Sequence, residues 1–349
     1  MLKNQHGQNL YKQAGVDAQK GDALVDWLHS SSEKVVNPTG EAVCGIGGFA
    51  ALFRPNLKSV KDPLIVSSTD GVGTKVLLGL ESGRLDGLGV DLVAMCVNDL
   101  YTIGARPMFF LDYYASGKLV EADFRAVLTG IKLGCRQARM TLIGGETAEL
   151  PGLYSKRHFD LAGFVVGLVD GETRLGPHQV ISDDLLYALT SSGFHSNGYS
   201  LIRKWLENHP NKESEKKSLV AKLMTPTRIY SEVPEILDIL GKGCIHALAN
   251  ITGGGISGNL PRVLPPELIG HVSINALPTQ KWMKDFILER AQSLQAVEEV
   301  FNLGAGMIAV VGRDSKEVFE RHCAKAALEV VLVGDVKPKQ AGEVDVIFH

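Results

Sequence analysis

The feature that most limits the folds open to this chain is the alternation of helix and strand patterns along nearly all of it. Apolar runs of strand length occur at 64–68 (LIVSS), 109–115 (FFLDYYA), 141–146 (TLIGGE) and 159–169 (FDLAGFVVGLV). Between them Leu88, Leu92, Cys96 and Leu100 recur every four residues, which predicts a buried helix over 87–103. A second helix is expected over 121–139, and an earlier one carries Leu24, Trp27 and Leu28 on one face. The charged, turn-rich DGETRLGPHQVISDD (170–184) stops the periodicity, which restarts at LLYALTSSG. Beyond it helices are expected near 197–208, 227–240, 279–291 and 315–327. Strands are expected near 185–190, 244–249, 268–274, 306–312 and 329–334, and the polar ENHPNKESEKKS (207–218) reads as an exposed loop. The pattern gives an α/β (mixed α+β) fold in two domains, 1–170 and 171–349, in keeping with 349 residues.

Composition removes several function classes. A formal net charge of -3 with no basic stripe argues against nucleic acid as the partner. No run approaches the roughly 20 apolar residues of a membrane span, and MLKNQHGQNLYKQ lacks the apolar core of a signal peptide, so a cytoplasmic location without membrane contact is expected. Cys44, Cys96, Cys135, Cys244 and Cys323 are scattered, with no C-x-x-C pair, which disfavours a disulfide framework or a zinc site.

Glycine is enriched, 38 of 349 residues, about 11% against a usual value near 7%. It clusters at GIGGF (45–49), DGVGTK (70–75), GGET (144–147), TGGGISG (252–258) and GAG (304–306), each beside a predicted element end. Any one cluster fits an ordinary turn, but five of them suggest a centre lined by backbone that a ligand approaches closely. STDGVGTK has the composition of a phosphate loop without its spacing. A P-loop needs G-x-x-x-x-G-K-[ST], whereas here Thr74 precedes Lys75 and the first glycine is missing. What remains is Asp70 at a strand end, followed by a turn and a cation, an order suited to a metal–phosphate pair.

The predicted helix at 87–103 contains Asp91, Asn98 and Asp99 on an otherwise apolar surface. Asp91 and Asn98 fall about 20° apart around the axis, giving one polar edge that must face water, a cation or a partner, because a buried unpaired carboxylate costs several kcal/mol. Asp91 also fits a first-turn acid near the helix dipole. LIGGETAELPG places Glu146 and Glu149 after a strand and a Gly-Gly turn, and Glu149 could equally cap a helix. Asp70, Asp99 and Glu146 are hard oxygen donors of the kind magnesium takes when it bridges to phosphate. In SSGFHSNGYSLIRK (191–204) a turn opens a helix, a place for a phosphate. There His195 could donate to phosphate or move a proton, or serve as a cap or surface residue, and Asn197 suits an N-cap. TGGGISGNLPRVLP repeats the theme, with Arg262 two turns in.

Taken together, YKQAGVD, STDGVGTK, DLVAMCVNDL with GARPMFFLDYYASGKL, IGGETAELPGLY, LAGFVVG, SSGFHSNGYSLIRK, TPTRIY and ITGGG with NLPRVLP resemble the phosphoribosylformylglycinamidine cyclo-ligase (aminoimidazole ribonucleotide synthetase) family. They run in order from residue 11 to about 310. DGVGTK and GGETAE alone indicate only a broader ATP-using superfamily, and FLDYYASGKL and FHSNGYSLIRK make the resemblance specific. Ala50, His29, Asn250, Leu303 and Ala305 depart from the family pattern.

The resemblance implies a homodimer whose N-terminal sheets pair across the two-fold into a barrel, a C-terminal mixed sheet with packed helices, and a glycine loop at GIGGF that closes over ligands. It implies ATP-dependent ring closure of formylglycinamidine ribonucleotide, with ATP and magnesium as cofactors and potassium left open. Asp70, Asp99 and Glu146 would hold magnesium and triphosphate, with Lys75 balancing phosphate charge and His195 also in the catalytic set. Lys12, Gly45, Gly47, Gly48, Thr69, Gly71, Thr74 and Asn98 would contact the nucleotide. Gly144, Gly145, Thr147, Ser196, Asn197, Gly253, Gly254 and Gly255 would contact the ribonucleotide. Two other readings stay open: a small-molecule phosphate kinase of the same superfamily, and a nucleotide-binding regulatory protein without turnover.

Overall fold

The computed structural model describes residues 21, 23–24, 27, 35–44, 46–58, 60–207 and 213–349. The chain divides into two compact units. One takes Ser67–Val97, Pro107–Gly167 and the described part of the chain before residue 59; the other takes Val60–Val66, Asn98–Arg106 and Leu168–His349.

In the first unit the stripe expected from the sequence forms the core. The helix Asp86–Thr102 buries Leu88, Leu92 and Cys96 completely. It crosses the helix Glu121–Gln137 at glycine: a Cβ on Gly89 would collide with the Val127 carbonyl oxygen, and one on Gly130 with that of Asp86. Both positions therefore need the smallest residue, because the two backbones meet directly. Strands β3 (Pro63–Gly71), β4 (Arg106–Ser116), β5 (Thr141–Glu149) and β6 (Phe159–Asp170) form a sheet in the order β3-β6-β4-β5. Strand β4 alternates as a half-buried strand should, with Met108, Phe110 and Tyr114 inward, but Asp112 shares that inward face. A hairpin of β1 (Gly40–Ala42) and β2 (Phe53–Pro55) flanks the glycine loop. Positions 21, 23, 24 and 27 are helical and Leu24 is buried, as its face predicts, whereas Leu28 lies outside the described residues.

The second unit is built on a six-stranded sheet ordered β12-β9-β11-β7-β10-β8. Its strands are β7 (Leu185–Thr190), β8 (Ile245–Asn250), β9 (Leu268–Val272), β10 (Ala305–Val311), β11 (Val330–Pro338) and β12 (Val346–Phe348). Its neighbouring strands pair antiparallel except β12 with β9, so the sheet is mixed. Strand β10, between β7 and the edge strand β8, is buried along its whole length, and an apolar run without alternation is what such a strand requires.

Two expectations fail in this unit. The helix expected from 227 begins at Val233. The reason is Asn98, whose side chain donates to the Arg228 carbonyl at 2.8 Å and accepts the Tyr230 N–H at 3.1 Å, diverting two backbone groups from helical pairing. The polar stretch expected as a loop contains the start of the helix Glu213–Leu223. Glu215, Lys216, Lys217 and Lys222 face solvent while Val220 and Leu223 are buried, an i, i+3 pair that the charge density hid.

Candidate functional site

Strand β3 delivers Asp70 at its penultimate position, and the turn that follows is set by glycine. Asp70 is half-buried, its Oδ1 accepts the Gly71 N–H at 2.7 Å, and the Cys96 thiol donates to its carbonyl oxygen at 3.8 Å. Thr69 belongs to the strand, Gly71 ends it, Gly73 takes a φ of 65°, and Thr74 precedes the helix Lys75–Ser82. Lys75 departs most from expectation. Its Nζ lies 2.9 Å from each oxygen of Asp91, and both side chains are 0% exposed. Burial pushes the ammonium's pKa down, against the pull of the Asp91 carboxylate. The charge assigned to phosphate in the sequence is thus balanced inside the protein, and the polar edge carrying Asp91 meets a cation rather than water.

Strand β5 carries the second acidic stretch. The Gly-Gly pair is not a turn, because Gly144, Gly145, Glu146 and Thr147 lie within the strand, past an irregularity in its parallel register with β4. Glu146 is exposed, and Glu149 accepts the Leu119 N–H at 2.8 Å just before the helix Glu121–Gln137, so it serves as a tie between segments. Asp112 lies opposite Gly145, and a Cβ there would collide with its Oδ1. At 5% exposure, with Oδ1 buried and unpartnered among the described residues, burial raises the Asp112 pKa from 3.8 to about 7.

The second unit holds the remaining candidates. Asp99 receives a 2.9 Å hydrogen bond from Asn250, one of the positions that depart from the family pattern. Asn98 spends both ends of its amide on the 228–230 backbone, and Ser196 pairs with Thr227 at 2.9 Å. His195 is 2% exposed with a φ of 58°, and its Nε2 accepts the Ser192 N–H at 3.3 Å. Asn197 is not an N-cap, because the helix begins at Tyr199 after Gly198. Its Nδ2 is buried without a partner among the described residues.

In the TGGG turn Gly253 lies near Asn197, with 3.6 Å from its Cβ position to Asn197 Oδ1. Gly254 has a φ of 93°, and Gly255, at 58°, has its Cβ direction blocked by the Glu298 carbonyl. Asn259 grips the turn by donating to the Gly253 and Gly255 carbonyls at 3.1 and 2.8 Å, and Arg262 donates to Asn259. The helix that follows is only Gly255–Asn259, too short for the anion-binding dipole expected there.

Gly47 and Gly48 lie in an exposed loop with Phe49 fully exposed, while Lys12, His29 and Gly45 lie outside the described residues. Among the described residues, no three His, Cys, Asp or Glu side chains gather as a metal site. The supporting residues Asp112, Asn259 and Asn302 were missed. For Asp112 a signal existed: strict alternation in FFLDYYA places it on the face of Phe110 and Tyr114.

Two sheets flanked by helices, with glycine-set turns displaying carboxylates and amides, define the class of AIR synthase related proteins. The N-terminal domain of that group matches residues 49–169 and its C-terminal domain residues 182–347. The architecture is shared with the crystal structure of E. coli HypE, a hydrogenase maturation protein (TM-score 0.68, 16% identity, 95% of this chain and 93% of that one). It is shared too with thiamine-monophosphate kinase from Stenotrophomonas maltophilia K279a (TM-score 0.65, 17% identity, 93% and 94%). Sequence likeness is closer to one branch. Phosphoribosylformylglycinamidine cyclo-ligases of Anaeromyxobacter sp. (strain K) and Anaeromyxobacter dehalogenans (strain 2CP-1 / ATCC BAA-258) are each 41% identical over 343 residues, covering 95% of this chain and 97% of theirs. The chain belongs to the phosphoribosylformylglycinamidine cyclo-ligase family.

Proposed function

We propose that this chain closes the imidazole ring of aminoimidazole ribonucleotide from formylglycinamidine ribonucleotide, using ATP and releasing ADP and phosphate, as a step of de novo purine synthesis. The observation that carries this is 41% identity along 95% of the chain to cyclo-ligases. A fold shared with a HypE solved in complex with ATP (TM-score 0.65, 17% identity) supports a nucleotide site.

The chemistry explains the need for ATP. The formyl oxygen must leave, and oxide is too poor a leaving group. That oxygen attacks the γ-phosphorus, ADP departs, and an imidate phosphate remains. The amidine nitrogen then adds to the same carbon, the C–O bond breaks, and phosphate leaves with the oxygen while nitrogen sheds its proton. The protein's share is positioning and charge stabilisation. Asp70, Glu146 and Asp99 are the proposed holders of magnesium, which when bound screens the triphosphate. Lys12 and the glycine loop cover the nucleotide, and Ser196, Asn197, His195 and the TGGG amides orient the ribonucleotide. With Lys75 committed to Asp91, its part is to fix the start of its helix below the Asp70 turn. A homodimer belongs to the same reading, supported by the exposed Ile65 and Phe164 on neighbouring strands β3 and β6, and a cytoplasmic location goes with the proposed pathway.

The test follows the formyl oxygen. With that atom labelled by heavy oxygen, mass spectrometry should find the label in released phosphate and none in the ring product. A kinase would leave the γ-phosphate on its product, and a regulatory protein would release none. Unlabelled phosphate formed alongside the ring would overturn the mechanism.

A further inference from the structure

The segment 191–197 joins β7 to the helix Tyr199–Glu207 and carries His195, Ser196 and Asn197. It does not rest in relaxed backbone. His195 holds a left-handed φ of 58°, and so does the buried Leu303, at 48°, in the neighbouring segment FNLGAG. Such conformations are disfavoured for side-chain-bearing residues and persist where surrounding contacts impose them.

The contacts converge on one amide. Asn302, 3% exposed, donates through Nδ2 to the Gly193 carbonyl at 2.9 Å and accepts the Gly304 N–H on Oδ1 at 3.0 Å. The two segments are further tied by Ser191 N–H to Gly304 O at 2.8 Å, Ser191 Oγ to Gly193 O at 2.8 Å and Gln280 Nε2 to Ser191 O at 3.0 Å. Thr279 secures Leu303 from the other side, donating to its carbonyl at 2.6 Å. Gly304 and the nearby Gly306 are closely packed: a Cβ at Gly304 would collide with the Pro278 carbonyl, and one at Gly306 with the Tyr230 hydroxyl and the His195 ring. At the end of this braced segment Asn197 Nδ2 is buried and unpartnered among the described residues. A buried donor left without an acceptor costs free energy, so an acceptor is expected to reach it when the site is filled.

We propose that Asn302 is a positioning residue: it presets the 191–197 segment so that the Asn197 amide donates to an acceptor oxygen of the ribonucleotide. This rests on the cyclo-ligase reading for the identity of the ligand. The bracing itself does not.

The experiment therefore has two arms on the full-length protein. Asn302→Asp keeps the acceptor for Gly304 but turns the donor into a carboxylate oxygen facing the Gly193 carbonyl. Asn302→Ser gives the same readouts if the aspartate variant does not fold. In hydrogen–deuterium exchange, peptides covering 191–198 and 303–306 should exchange faster than in Ile269→Val, a core variant serving as the stability control. In kinetics, KM for the ribonucleotide should rise about tenfold, as for one lost hydrogen bond, while KM for ATP stays within about twofold. Asn197→Ala should give the same KM split with an unchanged Tm, because its amide nitrogen has no partner among the described residues. Unchanged exchange over 191–198, equal rises in both KM values, or a large Tm loss in Asn197→Ala would overturn the proposal. If the wild-type protein shows no ring closure, the functional reading fails while the exchange arm still decides the bracing.

Discussion

Asp91→Asn isolates the buried ion pair beneath the Asp70 turn. In the native protein Lys75 Nζ is 2.9 Å from both Asp91 oxygens, and neither side chain is exposed to water. The substitution keeps shape and removes the Asp91 charge from beside a buried ammonium whose pKa burial already pushes down. Either the lysine stays charged and loses its attraction to Asp91, or it sheds its proton and loses its charge-assisted hydrogen bond to that residue. Removing one member of a buried pair costs about 3–5 kcal/mol. At about 2–4 °C per kcal/mol for a cooperative unit of about 150–250 residues, the size class of the unit that holds Asp91, the Tm of that unit should fall by roughly 6–20 °C. Lys75→Met combined with Asp91→Leu should recover much of that loss, because both charges of this pair are removed together. Urea titration followed by circular dichroism, with a double-mutant cycle, measures both quantities. A loss below about 1 kcal/mol for Asp91→Asn would refute the reasoning, since that is the size of an exposed pair.

Three further outcomes are expected. His246 is held between Asp184 Oδ2 at 2.6 Å and the Gly243 carbonyl at 3.2 Å, and its pKa is raised above 6.5 chiefly by the hydrogen bond to Asp184. A folded-state pKa above the unfolded one means the contribution is full below about 6.5 and is lost as pH rises through the folded value; the pH dependence of stability in that window should flatten in His246→Gln. Asp70→Asn should fold normally, lose ATP turnover at low magnesium and recover partly at high magnesium, which steady-state kinetics would show; near-full activity at low magnesium would remove Asp70 from the metal set. Gly255→Ala places a Cβ against the Glu298 carbonyl at a φ of 58°, so soluble yield and Tm should both drop sharply.

The sheets were legible in the sequence because apolar runs are local: β7 coincides with its expectation at 185–190 and β10 is displaced by one residue from 306–312. The helix expected at 227 was not legible, because the group that denies it, Asn98, lies 130 residues away from Arg228 in the chain. At the candidate site the sequence identified which residue types stand at strand ends and turns. It could not show which of them are already satisfied. Lys75 and Asp91 are both visible in the sequence, yet their neutralising contact joins residues 16 apart, and nothing local to Asn302 signals that its amide ties two segments together.

The crossing of Gly89 and Gly130 has a mechanical consequence. Where two helices meet through side chains, a squeeze can be absorbed by rotamer changes or by closing small voids. A joint made of Cα atoms and carbonyl oxygens has neither, so it should be among the stiffest points of its unit. Hydrostatic pressure yields first where voids can be eliminated. Amides along 86–93 and 127–134 should accordingly show nearly linear chemical-shift responses up to the pressure at which the unit opens.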